Sequence, residues 1–214
     1  MKVAMLVNGT WDSEWGKQEL GDVEFLVCAD GGANLALLSG RLPDVLIGDL
    51  DSITPANLVK CIKGGTKIVR YPKEKDQTDL ELALDYACFQ APAEFRNGKI
   101  WLYGATGGRI DHLLGNIALL LAYARRGWRI ILKDPEHVIW IIQKQEIIIG
   151  DKGHQISFLS LTEKAVVTTE GFYYPLKFEN LFQDSTRGIS NIFLGRQGYV
   201  RVDEGWVLAV MSNS

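Results

Sequence analysis

The sequence has few cysteines and little excess charge, and each shortage argues against a class of site or function. Its three cysteines, Cys28, Cys61 and Cys88, lie far apart and include no CxxC pair, so neither a zinc site nor a disulfide framework is indicated. Unpaired thiols fit the reducing cytoplasm. With a net charge of −3 and no dense basic stripe in residues 137–214, the chain also lacks the composition of a nucleic-acid-binding protein.

Long apolar runs are also missing. No stretch approaches the roughly 18 to 20 apolar residues that a membrane helix needs. The N-terminus carries a short apolar run but no signal-peptide pattern. We therefore expect a cytoplasmic protein with no membrane partner. Because 47% of the residues are apolar, a sizeable folded core is expected instead of disorder.

The first part of the chain alternates strand and helix patterns. Its strand patterns are short and nearly continuous in apolar residues, which is typical of parallel strands buried on both faces. They cover residues 2–8, 24–30, 44–49, 67–71, 99–103 and 129–133. The alternation predicts an α/β domain with a mostly parallel sheet over residues 1–134.

Three helix patterns lie between these strands. Residues 54–65 begin with Thr54, a suitable N-cap, followed by proline at the first helical position. Residues 78–88 repeat apolar side chains at helical spacing, and residues 111–127 open with Asp111, which can cap the helix. Each pattern predicts a helix that follows a strand.

The second part of the chain has no helical pattern. After Pro135, seven short strand patterns are separated by glycine, aspartate and lysine clusters. Such spacing is typical of a small antiparallel sandwich or barrel. We therefore predict an all-β sandwich domain over residues 135–214.

Polar clusters follow four of the predicted strands in the α/β domain. In open α/β sheets, ligands bind outside the carboxyl ends of the strands. The clusters carry aspartate, glycine, lysine and arginine, so we expect them to converge on one crevice. They are residues 28–34, 48–52, 73–79 and 104–112.

The acids in these clusters indicate the chemistry. Asp49 and Asp51 are two residues apart, so in extended chain their side chains point the same way and their charges repel. Either they face water in a loop or a cation lies between them. Together with Asp79 they offer only hard oxygen donors, which suit Mg²⁺ bound to substrate phosphates. The sequence favours a nucleotide–phosphate site.

Several residues in the clusters have a plain structural alternative. Gly31 and Gly32 either make a tight turn or leave backbone amides open to a phosphate. Neither a Walker A nor a GxGxxG sequence is present, so the glycines alone decide nothing. Asp76 and Thr78 are possible helix caps as much as ligand contacts.

The same holds for the charged residues near the predicted helix starts. Asp79 falls in a first helical turn, where an acid is favourable in any case. Arg109 follows two glycines and is either a solvated charge or an anion clamp. His112 is more commonly a packed or capping side chain than a ligand.

Taken in order, five segments resemble the thiamine pyrophosphokinase (thiamin diphosphokinase) family. The resemblance implies an α/β domain, a β-sandwich domain and a homodimer with active sites shared between subunits. It also implies transfer of a pyrophosphoryl group from ATP to thiamine, with release of AMP. The segments are "ADGGAN", "IGDLDS", "KDQTDLELAL", "GATGGRIDH" and "STRGISN".

The resemblance also implies site residues, position by position. Asp49, Asp51 and Asp79 would hold Mg²⁺, and Arg109 would join them as a catalytic residue. The nucleotide and phosphate site would include Asp30, Gly31, Gly32, Asn34, Asp76, Thr78, Gly107, Gly108, Arg109, Asp111 and His112.

The resemblance also implies that residues of the β domain bind thiamine. Ser190 and Asn191 belong to the matching "STRGISN" segment, and Tyr174 stands where the family places an aromatic side chain. An aromatic face suits a cationic substrate, although the adjacent Tyr173 could take the same role. Which acid accepts the proton of the thiamine hydroxyl is left open.

Two other functions compete with this one. The first is a pyrophosphokinase for another heterocyclic alcohol, such as a pterin, which "STRGISN" disfavours. The second is a regulatory module that binds a nucleotide without turnover. Three carboxylates argue against the second, because nucleotide capture alone does not need them.

Overall fold

A computed structural model describes residues 1–96 and 98–212. They form two compact units. The first comprises Met1–Leu119 and Arg126–Pro135, and the second comprises Leu120–Arg125 and the chain from Glu136 onward. The predicted second domain extends to residue 214, so its last two positions lie outside the described residues.

The first unit contains the predicted parallel sheet. Six strands, β1 to β6, pair in parallel in the order β6-β5-β1-β2-β3-β4. Their bounds are Val3–Leu6, Phe25–Ala29, Val45–Gly48, Lys67–Arg70, Lys99–Tyr103 and Arg129–Lys133. The chain runs outward from β1 to β4 and then returns to β5 on the other side of β1. The strand order therefore reverses between β1 and β5, which is where such sheets bind ligands.

The expectation of strands buried on both faces holds for the centre of this sheet but is wrong for its edge. Every residue of β1, β2 and β3 is buried. In β4, by contrast, Lys67 and Arg70 are exposed and the two residues between them are only partly buried. An edge strand has one neighbour, so its charged residues can reach water.

Five α-helices accompany these strands, and three of them match the predicted patterns. The helices α1 to α5 are Ser13–Leu20, Gly32–Leu38, Pro55–Lys63, Asp79–Asp85 and Ile110–Ala124. As predicted, Thr54 caps α3, with its side chain accepting a hydrogen bond from the Asn57 amide. The expectation that Asp111 caps α5 is wrong, because α5 begins at Ile110 and Asp111 lies inside its first turn.

One apolar cluster of the first unit lies between the central strands and helices α1 to α3. It includes side chains from β1, β2, β3 and these helices, together with Tyr103 of β5. Leu80, Ala83 and Leu84 of α4 are also buried. Dense packing here fixes the strand ends, and so the loops that follow them.

The second unit is an all-β sandwich, as predicted. Strands β7 to β14 form two antiparallel groups, β12-β9-β14-β7 and β11-β10-β13-β8. Their bounds are His137–Ile142, Gln145–Ile149, Gln155–Ser160, Lys164–Glu170, Glu179–Phe182, Asn191–Ile192, Gln197–Glu204 and Val207–Ser212. The sequence patterns miss β11, which has only four residues and no long apolar alternation.

No helix in residues 1–96 and 98–212 combines the length and apolar character required to cross a membrane.

Candidate active site

Three carboxylates meet where β2 and β3 end. Asp30 follows β2, and Asp49 and Asp51 follow β3; one oxygen from each lies within 4.8 Å of the others. Asp30 is 7% exposed and adopts a left-handed φ of +43°. Leu50, between the other two acids, is also left-handed, with φ +67°. These turns cost backbone energy that the surrounding structure must offset, and they bring three like charges together.

Backbone amides hold two of these carboxylates in place. The Ser52 amide donates to both Asp30 oxygens, at 3.1 and 3.2 Å. The Asp51 amide donates to Asp49 Oδ1 at 3.1 Å. The other Asp49 oxygen, Oδ2, lies 3.6 Å from the Lys75 ammonium and so faces a cation.

Asp79 approaches the same group from the first turn of α4. A Cβ placed on Gly48, whose φ is +144°, would lie 3.2 Å from Asp79 Oδ1 and 3.1 Å from the Asp30 Cβ. A side chain there would push these acids apart, which accounts for glycine in "IGDLDS". Burial raises the pKa of Asp79, and the nearby charges of Asp49 and Asp30 add to the rise, while Lys75 offsets part of it.

Two lysines of the loop after β4 neutralise these acids. Lys73 Nζ donates to Asp51 Oδ2 at 2.8 Å in an exposed pair. Lys75 Nζ is partly buried, 3.1 Å from Asp79 Oδ1 and 3.6 Å from Asp49 Oδ2. The cluster at residues 73–79 indicated lysine at this crevice, but its pattern gave neither lysine a partner.

The donor set fits a hard divalent cation. It contains only carboxylate oxygens, which Mg²⁺ prefers. Asp79 Oδ1 is buried and, among the described residues, accepts no hydrogen bond; the Lys75 ammonium is within ion-pair distance but not in hydrogen-bonding geometry. A buried carboxylate oxygen that accepts no hydrogen bond is suited to coordinate a metal. The carboxylates that the structure brings together are thus Asp30, Asp49 and Asp51, and the predicted ligand Asp79 lies beside this group.

A cavity of about 950 Å³ opens beside the acids in the first unit. Residues after β1 and residues after β5 line it, so it lies at the reversal of strand order. Asp30, Ser52 and Asp79 border it on the acidic side. The residues after β1 and β5 that line it include Asn8, Gly9, Thr10, Gly104, Thr106, Gly107, Gly108, Arg109, Asp111 and His112.

The glycines after β5 let two loops approach closely. A Cβ on Gly9 would lie 1.9 Å from the Gly104 carbonyl oxygen, and one on Gly107 would lie 2.2 Å from Thr10 Oγ1. Gly107 and Gly108 are both left-handed, with φ +86° and +67°. Such turns favour glycine, and because glycine has no side chain, the backbone here is exposed beside the cavity.

Arg109 and Asp111 form an exposed, two-point ion pair at the mouth of the cavity. Arg109 Nη2 lies 2.5 Å from Asp111 Oδ2, and its Nε lies 3.1 Å from Oδ1. The hydrogen bond from Arg109 lowers the pKa of Asp111 to about 2. Both side chains are more than half exposed, so Arg109 can exchange this partner for an anion. His112, also exposed, lines the same cavity.

Other predicted contacts have structural roles in this arrangement. A Cβ on Gly32 would lie 2.1 Å from the Leu6 carbonyl oxygen, and one on Gly31 would meet the Asn8 side chain at 2.6 Å. Close packing therefore explains why glycine occupies both positions. The Asn34 amide group donates to the Ser52 carbonyl and accepts from the Thr54 amide.

The two polar residues ahead of α4 differ. Thr78 lines the cavity and caps α4, because its hydroxyl accepts from the Glu81 amide at 3.2 Å. Asp76 is exposed on the loop. The cap interpretation of Thr78 thus has a hydrogen bond to support it.

In the second unit, the predicted thiamine contacts form a local cluster. Asn191 is 2% exposed and uses its amide group on Tyr174: it accepts from the Tyr174 amide at 2.9 Å and donates to the Tyr174 carbonyl at 2.8 Å. The rings of Tyr173 and Tyr174 are exposed and meet edge to face, 4.8 Å apart. Ser190 has a left-handed φ of +57°. Asn191 therefore positions the aromatic pair and has little capacity left for a ligand.

Comparisons with known proteins cover both units. A family model described as "Thiamin pyrophosphokinase, catalytic domain" matches residues 17–132, and "Thiamin pyrophosphokinase, vitamin B1 binding domain" matches residues 136–207. The thiamine pyrophosphokinase of Bacillus subtilis is 34% identical over 186 residues, which cover 86% of this chain and 85% of that protein. The chain belongs to the thiamin pyrophosphokinase family. It is thus an enzyme of that family.

Solved structures of family members have the same fold. The thiamine pyrophosphokinase of Bacillus subtilis superposes with a TM-score of 0.86 at 30% identity, covering all of both chains. That of Geobacillus thermodenitrificans gives 0.82 at 30% identity, covering all of this chain and 98% of the other. The α/β and β-sandwich architecture is therefore that of thiamin pyrophosphokinases.

One segment that lines the cavity was not among the clusters predicted from the sequence. Asn8, Gly9 and Thr10 follow β1 and line the cavity. The signal was available: "NGT" is a polar cluster directly after a strand, like the four clusters that were singled out. What the sequence could not give was the position of β1 beside β5.

Proposed function

We propose that this chain transfers a pyrophosphoryl group from ATP to the hydroxyl group of thiamine, giving thiamine diphosphate and AMP, with Mg²⁺ as the metal. The observation that carries the proposal is the group of acids beside a large cavity at the strand-order reversal, in a chain of the thiamin pyrophosphokinase family. A triphosphate needs a cavity of this kind, and phosphoryl transfer needs a hard cation beside it.

Asp49, Asp51 and Asp79 are the proposed Mg²⁺ ligands, with Asp30 close enough to share the site. When bound, the metal would neutralise negative charge on the phosphates. Arg109, which also lines the cavity, would add a second positive centre by releasing Asp111 and binding phosphate oxygens with its two-pronged guanidinium.

The reaction needs little covalent help from the protein. The hydroxyl oxygen of thiamine forms a bond to the β-phosphorus, and the bond from that phosphorus to the oxygen bridging to the α-phosphate breaks, so AMP leaves. The hydroxyl proton passes to a nearby acid. Backbone amides of the Gly107–Gly108 turn and the Arg109 guanidinium would stabilise charge on the phosphates, and the cavity would keep the reacting atoms in line.

Thiamine is assigned to the second unit, which matches the vitamin B1 binding model. The exposed rings of Tyr173 and Tyr174 offer a π face to the cationic thiazolium. Ser190 is the proposed hydrogen-bonding contact, and the next residue, Asn191, holds the Tyr174 backbone in place. We also propose a homodimer in which the β unit of one subunit completes the site of the other.

The decisive experiment is an assay of AMP release from ATP that depends on thiamine. We expect AMP and thiamine diphosphate in equal amounts when Mg²⁺ is present, and neither after chelation. A hydroxymethyl pterin offered in place of thiamine serves as the competing substrate. Turnover of the pterin alone, or ATP binding without AMP release, would reject the proposed reaction.

Subunit complementation tests the dimer. Asp51→Asn removes a proposed metal ligand in the first unit, and Tyr174→Ala removes an aromatic face in the second. If sites are shared, each mixed dimer of two inactive parents should regain one native site of its two, which is about a quarter of all sites after random exchange of equal amounts. An active monomer in sedimentation at assay concentration would contradict the dimer, and no recovery despite proven subunit exchange would place each site within one chain.

A further inference from the structure

Lys75 occupies an unusual position among the acids. Its side chain is 14% exposed, far less than that of Lys73 at 78%. Its Nζ donates to the Pro72 carbonyl at 3.2 Å, which anchors it in its own loop. From there it lies 3.1 Å from Asp79 Oδ1 and 3.6 Å from Asp49 Oδ2. The ammonium thus sits between two carboxylates to which the proposed function assigns the metal.

The ammonium neutralises these carboxylates only in part. It carries one positive charge, whereas Asp30, Asp49 and Asp51 alone supply three negative charges within 4.8 Å. Its contact with Asp79 Oδ1 lacks hydrogen-bonding geometry, so this buried oxygen is left without a directed donor. Lysine charges bind as flexible point charges. The contact can therefore be broken more easily than a two-point arginine pair.

A metal ion and the Lys75 ammonium cannot both use the same oxygens without repulsion. In the absence of nucleotide, a metal ion that binds Asp49 and Asp79 must displace the ammonium into water or leave it close to a second cation. Lys75 lines the same cavity as Thr78 and Arg109, where the triphosphate would bind. With the triphosphate present, the displaced ammonium gains phosphate oxygens as new partners.

We propose that Lys75 is a built-in counter-cation that competes with the metal for Asp49 and Asp79 and transfers to the phosphates when nucleotide binds. The inference rests on the proposed function, because it takes these acids as metal ligands. Its consequence is coupling: the metal alone binds weakly, and nucleotide and metal each strengthen the binding of the other by the same factor. The acids are thereby kept neutralised until the nucleotide arrives.

The test measures metal binding and not turnover. Mn²⁺ serves as the probe, with binding followed by electron paramagnetic resonance and calorimetry. Titrations are done with the full chain alone and with α,β-methylene ATP, whose α–β bridge cannot be cleaved. For Lys75→Met, which keeps most of the stem and removes the charge, we expect Mn²⁺ alone to bind about tenfold more tightly, and the strengthening by nucleotide to fall by a similar factor.

Two further variants act as matched controls. Lys73→Met removes the same charge from the same loop, but its pair with Asp51 is exposed, so we expect less than about a twofold change in Mn²⁺ affinity. Lys75→Arg keeps the charge and should keep the weak binding of Mn²⁺ alone. If Lys75→Met does not fold, as judged by circular dichroism, Lys75→Gln provides the same comparison with Lys75→Arg.

An unchanged or weaker affinity of the uncharged Lys75 variants for Mn²⁺ alone would overturn the inference, as would nucleotide strengthening equal to that of the wild type. These outcomes are separable from failure of the proposed function. A wild-type chain that converts thiamine, with Lys75 variants that bind Mn²⁺ normally, contradicts only the role of Lys75. A wild-type chain that shows the coupling but releases no AMP contradicts only the proposed reaction.

Discussion

The two units present their candidate site residues in opposite ways. In the α/β unit, residues that are far apart in sequence, such as Asn8, Asp30, Asp79 and Arg109, come together around one cavity. In the β unit, Tyr173 and Tyr174 are neighbours in sequence, and the buried side-chain amide of Asn191 bonds to the backbone of Tyr174.

The difference follows from the two kinds of sheet. In a parallel sheet all strands end at the same edge, so loops after different strands converge whatever their sequence separation. An antiparallel sandwich has strand ends on both sides, and no single edge collects them. We therefore expect the activity to respond mainly to charge changes among the clustered side chains of the α/β unit. In the β unit we expect the main effect from loss of the hydrogen bonds that hold the tyrosine segment.

Asp49→Asn should have the largest effect and act on chemistry alone. It replaces an anionic donor by a neutral amide, and we expect kcat/KM for thiamine-dependent AMP release to fall about a thousandfold at limiting Mg²⁺. The metal-free variant should melt no lower than the wild type, because one of several clustered negative charges is removed. Near-normal turnover would show that the acids are not a metal site.

Substitution of Arg109 tests the predicted phosphate contact in the same cavity. Arg109→Ala should lower kcat about a hundredfold, because one charge-assisted contact to the phosphates is lost. Arg109→Lys should restore only part of this, since an ammonium cannot bind two oxygens side by side. Thermal melting of both variants should match that of the wild type, because the pair with Asp111 is exposed. Full activity of the lysine variant would make Arg109 a surface charge.

Much of this arrangement could be predicted from the sequence, because it depends on local signals. Buried strands, the Thr54 cap of α3 and the acids after β3 all have short-range patterns. The helix α2 had none, since Gly31 at its N-cap offers no side-chain hydrogen bond. The helix α1 does have a capping signal, as the Asp12 side chain accepts from the Trp15 amide, but it was overlooked.

What could not be predicted depends on long-range pairing. The position of β1 beside β5 creates the cavity, and no local pattern encodes it. The approach of Asp30 to Asp49 depends on left-handed turns after two different strands. In the β unit, "STRGISN" indicated Asn191 as a ligand contact, yet only the structure reveals that its amide group is used on the Tyr174 backbone.

In the β unit, the role of Asn191 can be tested by measuring the free energy of unfolding of variants. Asn191→Ala removes the partners of the Tyr174 amide and carbonyl groups at a site that is 2% exposed, so we expect a loss of about 2 kcal/mol in the free energy of unfolding, measured in urea. Ser190→Ala should leave stability nearly unchanged, because only the Ser190 backbone amide bonds to Ser157. Equal stability of both variants would show that Asn191 does not hold the aromatic pair.

The smallest effect is expected in the α/β unit, away from the cavity. Glu19 of α1 accepts hydrogen bonds from Lys133 at 2.5 Å and from the Tyr103 hydroxyl at 2.8 Å. Burial alone would raise the pKa of Glu19, but these hydrogen bonds, with the charges of Lys133 and Lys2, lower it below its ordinary value. Because the folded state favours the ionised form, this group stabilises the fold above the ordinary glutamate pKa, and the stabilisation is lost as pH falls through the lowered value.

Glu19→Gln should therefore cost about 1 kcal/mol at pH 7, and the difference from the wild type should shrink below the ordinary glutamate pKa of 4.5. Urea unfolding at several pH values between 3 and 7 measures it. Glu14→Gln, in the same helix but with its side chain 77% exposed, is the matched control and should follow the wild type throughout. A Glu19 difference that stays constant with pH would mean that packing of the side chain, and not its charge, joins α1 to β5 and β6. Thiamine-dependent turnover should be unaffected by either substitution, since neither residue borders the cavity.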